Sequence, residues 1–341
     1  MRFLVAGELN LDLILRNYLS FPALGQETLV EDVTLTLGSS SAICAAGLAK
    51  LGNTVIFTGK VGMDSWGELC LESLAKLGVD ASRVMRDAGV KTGITVSITS
   101  PRDRAMVTYL GAMATMRAEE IGARGIDGFD HLHVASVFLQ RALRPGLKAL
   151  LALAHARGLT TSLDPGFDPE EKWGRDVIDL LAEVDVFLPN EVELRGLTGF
   201  SDPEQGLRAL ENDRTLTVAK LGSDGCAVLE NGTLMRVPAF PVEPVDTTGA
   251  GDSFNAGFLH CVVAQALLPA APALLPAQTS VQATPRSIAG RREDGAPTGQ
   301  SPLRQALRFA AACGALSTLA AGGTGAQATE EQAKAFLKSR G

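Results

Sequence analysis

The sequence predicts a doubly wound α/β fold, with a mostly parallel sheet and helices on both of its faces. Short apolar runs alternate with helical patterns through most of the 341 residues, as expected where helices connect parallel strands. A glycine-rich turn at residues 249–251 directly precedes an apolar helical run, and a turn of this kind at a helix start can bind an anion. Two stretches with a period of two interrupt the rhythm and predict a small antiparallel sheet outside the main one.

The main sheet and its helices follow from the apolar runs and from the turn residues that bound them. We predict strands, in chain order, at residues 2–5, 54–58, 131–134, 160–163, 186–188, 215–220 and 226–229. We predict helices at residues 41–51, 66–77, 147–157, 191–198, 253–267 and 303–320. This alternation is the reason for the doubly wound arrangement.

The two exceptional stretches lie at residues 29–37 and 93–110. In the second, apolar residues alternate with threonine and serine at Ile94, Val96 and Ile98. A turn at residues 101–104 then leads into another alternating run. Both stretches therefore predict antiparallel strands with one polar and one apolar face.

A different composition begins near residue 265 and continues to residue 301. The segment is rich in proline, alanine, serine, threonine and glycine, with scattered charges and few large apolar side chains. Such a composition does not offset the entropy lost on ordering the chain. We predict a disordered surface insertion at about residues 268–301, and a partner-binding segment is the alternative.

The overall composition argues against several classes of protein. The formal net charge of −7 does not favour general nucleic-acid binding, which needs a basic face. The five cysteines are odd in number and form no CxxC pattern, which predicts reduced thiols in the cytoplasm. The uncharged run after Ser253 contains polar residues and prolines, so we expect no membrane span.

The most specific motif is the run from Asp246 to Phe254, which reads DTTGAGDSF. Backbone N–H groups of Gly249, Ala250 and Gly251 can approach a phosphate, and the following helix adds the positive end of its dipole. Asp252 then lies where a carboxylate can accept the proton of an attacking hydroxyl. A purely structural glycine-rich turn is the alternative interpretation.

At these residues the chain resembles the ribokinase family, also called the PfkB carbohydrate kinases, whose signature reads D-T-T-G-A-G-D-x-F. Further stretches that look like family landmarks occur in the family's order, at residues 5–12, 61–67, 188–193 and 220–225. The resemblance implies a single ribokinase-like kinase domain over residues 1–341. It also implies that the strands at about 11–36 and 91–112 form a lid over the sugar, which a homodimer can share.

The activity that the resemblance implies is ATP-dependent phosphorylation of a hydroxyl on a small carbohydrate, which can be a sugar, a keto-sugar acid or a polyol. Mg²⁺ would assist, and Asp252 would act as the base, mainly by orienting the hydroxyl, because phosphoryl transfer passes through a loose transition state. Two alternatives stay open. One is a nucleoside kinase of the same superfamily, which the low aromatic content disfavours, and the other is a non-catalytic sugar- or nucleotide-binding regulator.

The resemblance assigns a second set of residues to ATP and its metal. Asn190 and Glu193 match the N-x-x-E motif, which implies Mg²⁺ binding through water, although a helix N-cap with an acidic first turn fits the same residues. The expected nucleotide contacts are completed by Lys220, Gly222, Ser223, Gly225 and Thr248. An ordinary hairpin turn with a solvated lysine is the alternative at residues 220–225, and nucleotide contact is expected of the turn more than of the lysine side chain.

The acceptor is expected to contact the end of the first strand and the segment that follows residue 37. Paired oxygens on Asp12 can bind adjacent hydroxyls, and the other candidates are Asn10, Gly38, Ser39 and Ser40. The chain departs from the family at two places, where Ile43 replaces the asparagine of G-G-x-x-x-N and residues 164–168 replace D-P-N-x-R. The identity of the sugar therefore cannot be carried over from ribokinase.

Two further sets of residues bear on ion binding. Asp246 and the loop at residues 321–325 occupy places where some relatives hold a monovalent cation, so K⁺ is a candidate cofactor. His131 and His133 alternate on one strand face without an acidic or thiol partner at ligand spacing. We therefore expect these two histidines to be strand residues and not zinc ligands.

Overall fold

The structure is a computed structural model that describes residues 1–18, 20–99, 104–265 and 301–340. Apart from Ser301, the insertion predicted at about residues 268–301 lies outside the described residues. So does most of the turn predicted at residues 101–104.

The main sheet has eight strands, and each of its inner strands extends close to the predicted bounds. In chain order the strands are β1 (Arg2–Ala6), β4 (Thr54–Thr58), β9 (His131–Ala135), β10 (Thr160–Asp164), β11 (Val186–Phe187), β12 (Leu216–Lys220), β13 (Cys226–Glu230) and β14 (Thr233–Val237). Their spatial order is β14-β13-β12-β11-β10-β9-β1-β4. All neighbours are parallel except at one edge, where β13 is antiparallel to both β12 and β14.

Helices cover both faces of this sheet. They are α1 (Ser40–Lys50), α2 (Ser65–Lys76), α3 (Ala118–Ala123), α4 (Leu147–Ala156), α5 (Arg175–Asp179), α6 (Glu191–Thr198), α7 (Pro203–Ala209), α8 (Ala250–Ala264), α9 (Pro302–Ser317) and α10 (Glu330–Ser339). Because side chains alternate along a strand, Phe3 and Val5 pack with α1, α2, α8, α9 and α10, whereas Leu4 and Ala6 pack with α3 to α7. Two separate apolar cores result, which confirms the doubly wound fold.

A second, smaller sheet lies beside the carboxyl ends of the main strands. It consists of β2 (Asn10–Arg16), β3 (Asp32–Leu37), β7 (Gly93–Thr99) and β8 (Arg104–Tyr109), in the order β3-β2-β7-β8, and we call it the small sheet. A short parallel pair, β5 (Lys60–Gly62) and β6 (Met85–Asp87), lies outside both sheets.

The small sheet is mixed and not wholly antiparallel. The pairs β2–β3 and β7–β8 are antiparallel as predicted, but β2 and β7 are parallel. β2 and β7 are parallel because both hairpins begin and end at the side of the small sheet that joins the main domain. Asn10 at the start of β2 therefore pairs with Gly93 at the start of β7. The period of two predicted each hairpin but carried no information on how the hairpins pair.

The small sheet has one polar and one apolar face, as its alternation predicted. Asp12, Thr95 and Ser97 point toward the inside, where they line a cavity. The opposite face carries aliphatic and aromatic side chains, and its most exposed members, at 45 to 66%, are Val33, Leu35, Val107 and Tyr109. Nothing among the described residues covers these side chains.

One sequence prediction about an individual helix is refined. The helix expected at residues 253–267 begins three residues earlier, at Ala250, since Gly249 takes the N-cap position with a φ of +74°. None of the helices in the described part of the chain is long and apolar enough to cross a membrane.

His131 and His133 are buried residues of β9, as expected for strand residues. The two rings share Ser162, whose Oγ lies 2.7 Å from His131 Nε2 and 2.7 Å from His133 Nδ1. Across the described residues, no cluster of histidine, cysteine and acidic side chains could hold a metal ion by itself.

Candidate active site

A single cavity of about 1660 Å³ runs along the carboxyl ends of the main strands and under the small sheet. This is where open α/β sheets generally bind ligands. Of the residues singled out from the sequence, those that line the cavity are Asn10, Asp12, Ser39, Ser40, Asn190, Glu193, Lys220, Gly222, Ser223, Gly225, Thr248, Gly249, Ala250, Gly251 and Asp252. Gly38 and Asp246 are not among the residues that line it.

The turn at residues 249–251, which we call the glycine loop, opens helix α8. Its N–H groups belong to the first turn of the helix, where backbone donors have no intrahelical acceptor. Gly249 is required by its positive φ and by crowding, because a Cβ there would lie 2.7 Å from the Cα of Gly323. The glycine loop therefore lines the cavity at a helix start, where Ala250 N donates to Thr247 O at 3.3 Å.

Asp252 follows the glycine loop in the first turn of α8 and is partly exposed in the cavity. Burial raises its pKa well above the usual range, and the nearby carboxylate of Asp164 adds to the shift. Lys220 and a hydrogen bond from the Ser40 side chain act in the opposite direction. A carboxylate with a raised pKa is a stronger base when ionised, which suits proton transfer near neutral pH.

Helix α1 begins beside Asp252, so two helix N-termini meet at this carboxylate. Ser39 caps α1 by accepting a hydrogen bond from Ala42 N at 3.0 Å, although its φ of +74° is unusual for serine. Strain of this kind persists only where the surroundings fix it. Here Ser39 Oγ also donates to the carbonyl oxygen of Glu8.

Glu8 is a buried cavity residue that the sequence reasoning did not select. Its carboxylate accepts hydrogen bonds from Ser41 N at 3.1 Å and from Ser41 Oγ at 2.5 Å, and burial raises its pKa. An acidic residue two positions after the apolar strand β1 was the signal that could have identified it.

Asn10 and Asp12 lie on the inner face of β2. Asn10 Nδ2 donates to Asp12 Oδ1 at 3.1 Å and to Thr95 Oγ1 at 3.3 Å, so the small sheet holds the amide in place. A Cβ on Gly38 would lie 2.2 Å from Asp12 Oδ1. Gly38 thus makes room for the Asp12 carboxylate and does not itself line the cavity.

Asn190 and Glu193 form a complete capping box at the start of α6. Asn190 Oδ1 accepts from Glu193 N at 2.9 Å, and Glu193 Oε2 accepts from Asn190 N at 2.8 Å. Burial, followed by the charge of Asp164, raises the pKa of Glu193 to about 7. The N-cap interpretation is therefore present in the structure, and it is compatible with a cation that reaches this pair through water.

Lys220 ends β12, and its side chain points toward the glycine loop. Lys220 Nζ lies 2.5 Å from Asp164 Oδ2 and 3.6 Å from the position that a Cβ on Gly251 would take. The lysine is therefore not a solvated residue of a hairpin turn. The following residues, Gly222–Asp224, form a short 3₁₀ turn on the cavity wall.

One end of the cavity is apolar, and the sequence reasoning did not find it. It is built by the segment after β14 and by the middle of α9, with Ala239, Phe240, Pro241, Val242, Ala311 and Ala315. The run of prolines at positions 238, 241 and 244 was the local signal, but its position across from α9 depends on tertiary packing.

The opposite wall combines aromatic rings with cations. Arg144 lies over the ring of Phe138 at 4.7 Å and binds Asp176 through two contacts of 2.5 Å. Arg141 and Lys172, both largely exposed, line the same wall. Arg141 and Arg144 are neighbours in sequence, whereas Lys172 is distant, so only the fold brings it to the same wall.

Asp246 connects two loops behind the glycine loop. Its Oδ1 accepts from Thr248 N at 2.9 Å, and its Oδ2 accepts from Gly322 N at 2.9 Å. Although burial opposes it, these hydrogen bonds lower the pKa of Asp246. The carboxylate thus stays ionised at the place where a monovalent cation was predicted.

The fold and this cavity define a ribokinase-like phosphotransferase, and the family model for pfkB family carbohydrate kinases matches residues 2–330. The chain therefore belongs to the PfkB family of carbohydrate kinases, which confirms the resemblance inferred from the sequence. It is 32% identical to the ATP-dependent ribose-1-phosphate kinase of Halopiger xanaduensis over 345 residues, covering 100% of this chain and 99% of the relative. It is 30% identical to a fructokinase of Klebsiella pneumoniae over 298 residues, covering 84% and 86% of the two chains.

Solved structures share this fold. The fructokinase of Xylella fastidiosa with bound ATP superposes with a TM-score of 0.79 at 21% identity, covering 99% of this chain and 98% of that one. A double mutant of the Vibrio cholerae fructokinase, bound to fructose, ADP and a potassium ion, gives 0.73 at 25% identity, with 98% of each chain covered. The protein is thus a carbohydrate kinase, and its relatives support phosphorylation of a sugar by ATP.

Proposed function

We propose that this kinase transfers the γ-phosphoryl group of ATP to a hydroxyl of a small carbohydrate, with Asp252 as the base. The observation that carries the proposal is the position of Asp252, which follows the glycine loop directly and faces the cavity beside the start of α1. A phosphoryl group held by the glycine loop would lie next to this carboxylate. The acceptor hydroxyl can then lose its proton to Asp252 as the new bond forms.

The glycine loop stabilises charge on the transferring phosphoryl group. Backbone N–H groups at a helix start are fixed before the reaction, so they need no reorganisation when negative charge shifts onto the phosphoryl oxygens. Thr248 lies at the edge of the same loop and lines the cavity. This assignment gives Gly249, Ala250 and Gly251 a catalytic role through their backbone atoms.

Mg²⁺ is proposed as the divalent cation that accompanies ATP. Lys220 is surrounded by Asp164, Glu193 and Asp252, so the phosphates of ATP would approach three carboxyl groups and one ammonium at this end of the cavity. A divalent cation offsets the repulsion between these carboxylates and the phosphates. Asn190 and Glu193 would hold it through water, because their side-chain polar atoms already form the hydrogen bonds of the capping box and Mg²⁺ retains several waters.

The nucleotide base is assigned to the apolar end of the cavity. The turn with Gly222, Ser223 and Gly225 forms one border, and Phe240 and Ala311 lie among the residues that form the others. An apolar slot with a polar border is the usual form of a site for a planar base. Lys220 then lies between the base and Asp252, within reach of the phosphates.

The acceptor is assigned to the space under the small sheet, which closes the cavity there as a lid. Asp12 and Asn10 offer acceptors and a donor to adjacent hydroxyls, and Ser39 and Ser40 lie at the start of α1. Gly38 contributes indirectly by admitting Asp12. Ile43 lines the same space without an amide, so the acceptor lacks one polar contact that the family pattern provides.

A second candidate is an acceptor that already carries an anionic group, such as a phosphate or a carboxylate. Arg141, Arg144 and Lys172 favour it, because they place three cations on one cavity wall, where Arg141 and Lys172 share the single carboxylate of Glu170 and Arg144 pairs with Asp176. Replacing Arg141 and Lys172 by glutamine should raise KM for anionic acceptors and leave KM for neutral sugars unchanged. Equal effects on both acceptor types would exclude this candidate.

K⁺ is proposed as an activating ion near Asp246, and the potassium ion in the Vibrio cholerae fructokinase supports the proposal. The ion would stabilise the contact between residues 321–325 and the glycine loop, since Gly323 packs against Gly249. Equal rates in sodium, potassium and a large organic cation would overturn it.

We also infer a homodimer through the small sheet. Its exposed apolar face includes Leu35 and Val107, which are 45% and 66% exposed. Contiguous apolar surface of this kind generally marks an interaction site. A second copy of this chain is the proposed partner, because the family resemblance implies that a homodimer can share these lid strands.

The proposed function is tested with a panel of sugars, keto-sugar acids, polyols and nucleosides. Melting temperatures identify acceptors that bind, because a ligand that binds only the native state raises its stability. ADP release and phosphorus NMR then identify the phosphorylated product. Transfer to a carbohydrate hydroxyl is the expected result, whereas transfer to nucleosides alone, or ATP binding without any transfer, would overturn the proposal.

A further inference from the structure

Asp164 is a buried carboxylate to which neither the sequence analysis nor the proposed function gives a role. It ends β10 and is 4% exposed. Its Oδ2 accepts hydrogen bonds from Lys220 Nζ at 2.5 Å and from Asn255 Nδ2 at 2.6 Å, and its Oδ1 accepts from Gly166 N at 3.1 Å. Donors from β12, from α8 and from the loop after β10 therefore converge on one carboxylate.

The position of Lys220 depends on this contact. Its side chain passes along the glycine loop, with Nζ, Cε and Cδ between 3.6 and 3.9 Å from the position that a Cβ on Gly251 would take. A lysine side chain is flexible, and its ammonium needs a fixed partner to remain in one place. Within the described residues, Asp164 is the carboxylate at hydrogen-bond distance from Lys220.

Two other carboxylates compete for the same ammonium. Burial by itself lowers the pKa of Lys220, but Asp164, Glu193 and, more weakly, Asp252 raise it above its usual value. If Lys220 moved onto Asp252, it would form an ion pair with the proposed base. The contact with Asp164 keeps the ammonium beside the glycine loop and leaves Asp252 free to accept a proton.

We propose that Asp164 is a positioning residue for phosphoryl transfer, which holds the Lys220 ammonium beside the glycine loop and away from Asp252. This inference rests on the proposed function, because it assumes that the glycine loop binds the transferring group. It also gives Asn255 a role, since the Asn255 amide fixes the same carboxylate oxygen from helix α8. The residue acts through Lys220 and does not touch the reacting atoms.

The test measures kcat and KM for ATP in Asp164→Asn, with the best acceptor from the panel. The phosphates of ATP attract the ammonium in either variant, so KM for ATP should change less than about threefold. Because the ammonium is misplaced, kcat should fall by about 10²-fold. Asp164→Glu keeps the charge but moves the carboxylate by one methylene, so it should fold and still lose most of its kcat.

A double-mutant cycle with Lys220→Met separates positioning from a purely structural role. If Asp164 acts through Lys220, Asp164→Asn should not lower kcat further once Lys220 is methionine. Multiplicative losses in the double variant would overturn the inference, as would a normal kcat in Asp164→Asn or in Lys220→Met.

Two further variants complete the experiment. Asp185 is also a buried carboxylate, bound to Arg214 at 3.1 Å. It lies just before β11, at the amino ends of the parallel strands, whereas the cavity lies at their carboxyl ends. Asp185→Asn should lower the melting temperature and leave kcat unchanged, so an equal loss of kcat there would overturn a specific role for Asp164. Asp252→Asn is measured in parallel, because full activity in that variant would reject the proposed active site itself, independently of the result for Asp164.

Discussion

Replacing Gly249 by alanine tests whether the glycine loop holds the transferring phosphoryl group. The φ of +74° costs an alanine about 1–2 kcal/mol relative to glycine. The new methyl carbon would also lie 2.7 Å from Gly323 Cα, 2.9 Å from Ile43 Cγ2 and 3.0 Å from Gly323 O. Two of these neighbours are backbone atoms, so the start of α8 or the loop at residues 321–325 must move.

The matched control is Gly52→Ala, which isolates the cost of the backbone conformation. Gly52 has a φ of +88°, and a Cβ there would have no neighbour within 4 Å. Gly52→Ala should lose about 1–2 kcal/mol of stability, which lowers the melting temperature by a few degrees. Gly249→Ala should lose more, because its methyl group also displaces Gly323 or the start of α8. Displacement by about 1 Å at a reaction centre can cost about 10²-fold in rate, so we expect that loss of kcat/KM for ATP in Gly249→Ala alone.

The assay is coupled ADP release, with melting temperatures measured on the same samples. A loss of 10²-fold corresponds to about 2.7 kcal/mol in transition-state free energy, well above the scatter expected for Gly52→Ala. If Gly249→Ala melts like Gly52→Ala and keeps kcat/KM within about threefold, the glycine loop does not hold the transferring phosphoryl group.

Asp252→Asn should lower kcat by about 10²–10⁴-fold, and unchanged turnover would exclude Asp252 from catalysis. The same variant should raise the melting temperature at neutral pH, because burial disfavours the ionised carboxylate in the folded protein. Burial lowers the pKa of His131 to about 3 and of His133 to about 4, so the unfolded chain takes up protons below pH 6.5 that the native protein does not. Stability should therefore fall as the pH drops from about 6.5 toward 4, by up to about 1.4 kcal/mol per pH unit for each histidine, and a variant with glutamine at both positions should lose less melting temperature between pH 7 and pH 5. Equal losses in the two proteins would contradict the assignment of these histidines as neutral. Val107→Glu should convert the proposed homodimer into a monomer in light scattering, while Phe200→Glu, at an exposed apolar residue of the main domain, should not; a dimer in both variants would move the interface elsewhere.

The order and type of the main elements could be predicted because their signals are local. Apolar runs of strand length and helical patterns predicted β4 and α6 at their observed bounds. The start of α8 was placed three residues too late, since Gly249 adopts a left-handed N-cap that no periodicity reveals. The parallel pairing of β2 with β7 was missed for a related reason, because pairing between hairpins depends on where each joins the main domain.

The residues of the candidate site also fall into two groups, those that a local motif predicted and those that depend on contacts between distant parts of the chain. Motifs contiguous in sequence predicted the glycine loop, Asp252, and the pair Asn190 and Glu193, all of which line one cavity. Residues that act through distant partners were missed, above all Asp164, whose contact with Lys220 joins positions 56 apart in the chain.

The sequence by itself determined the doubly wound fold, the family and the residues of the glycine loop, because each depends on spacing within a short stretch of chain. Tertiary structure alone decided which side chains face each other across the cavity: the apolar slot between residues 239–242 and α9, the cations opposite it, and the ion pair of Lys220 with Asp164. The physical reason is that charge compensation and desolvation depend on distance in space, and the fold sets those distances by bringing the ends of non-adjacent strands to one edge of the sheet.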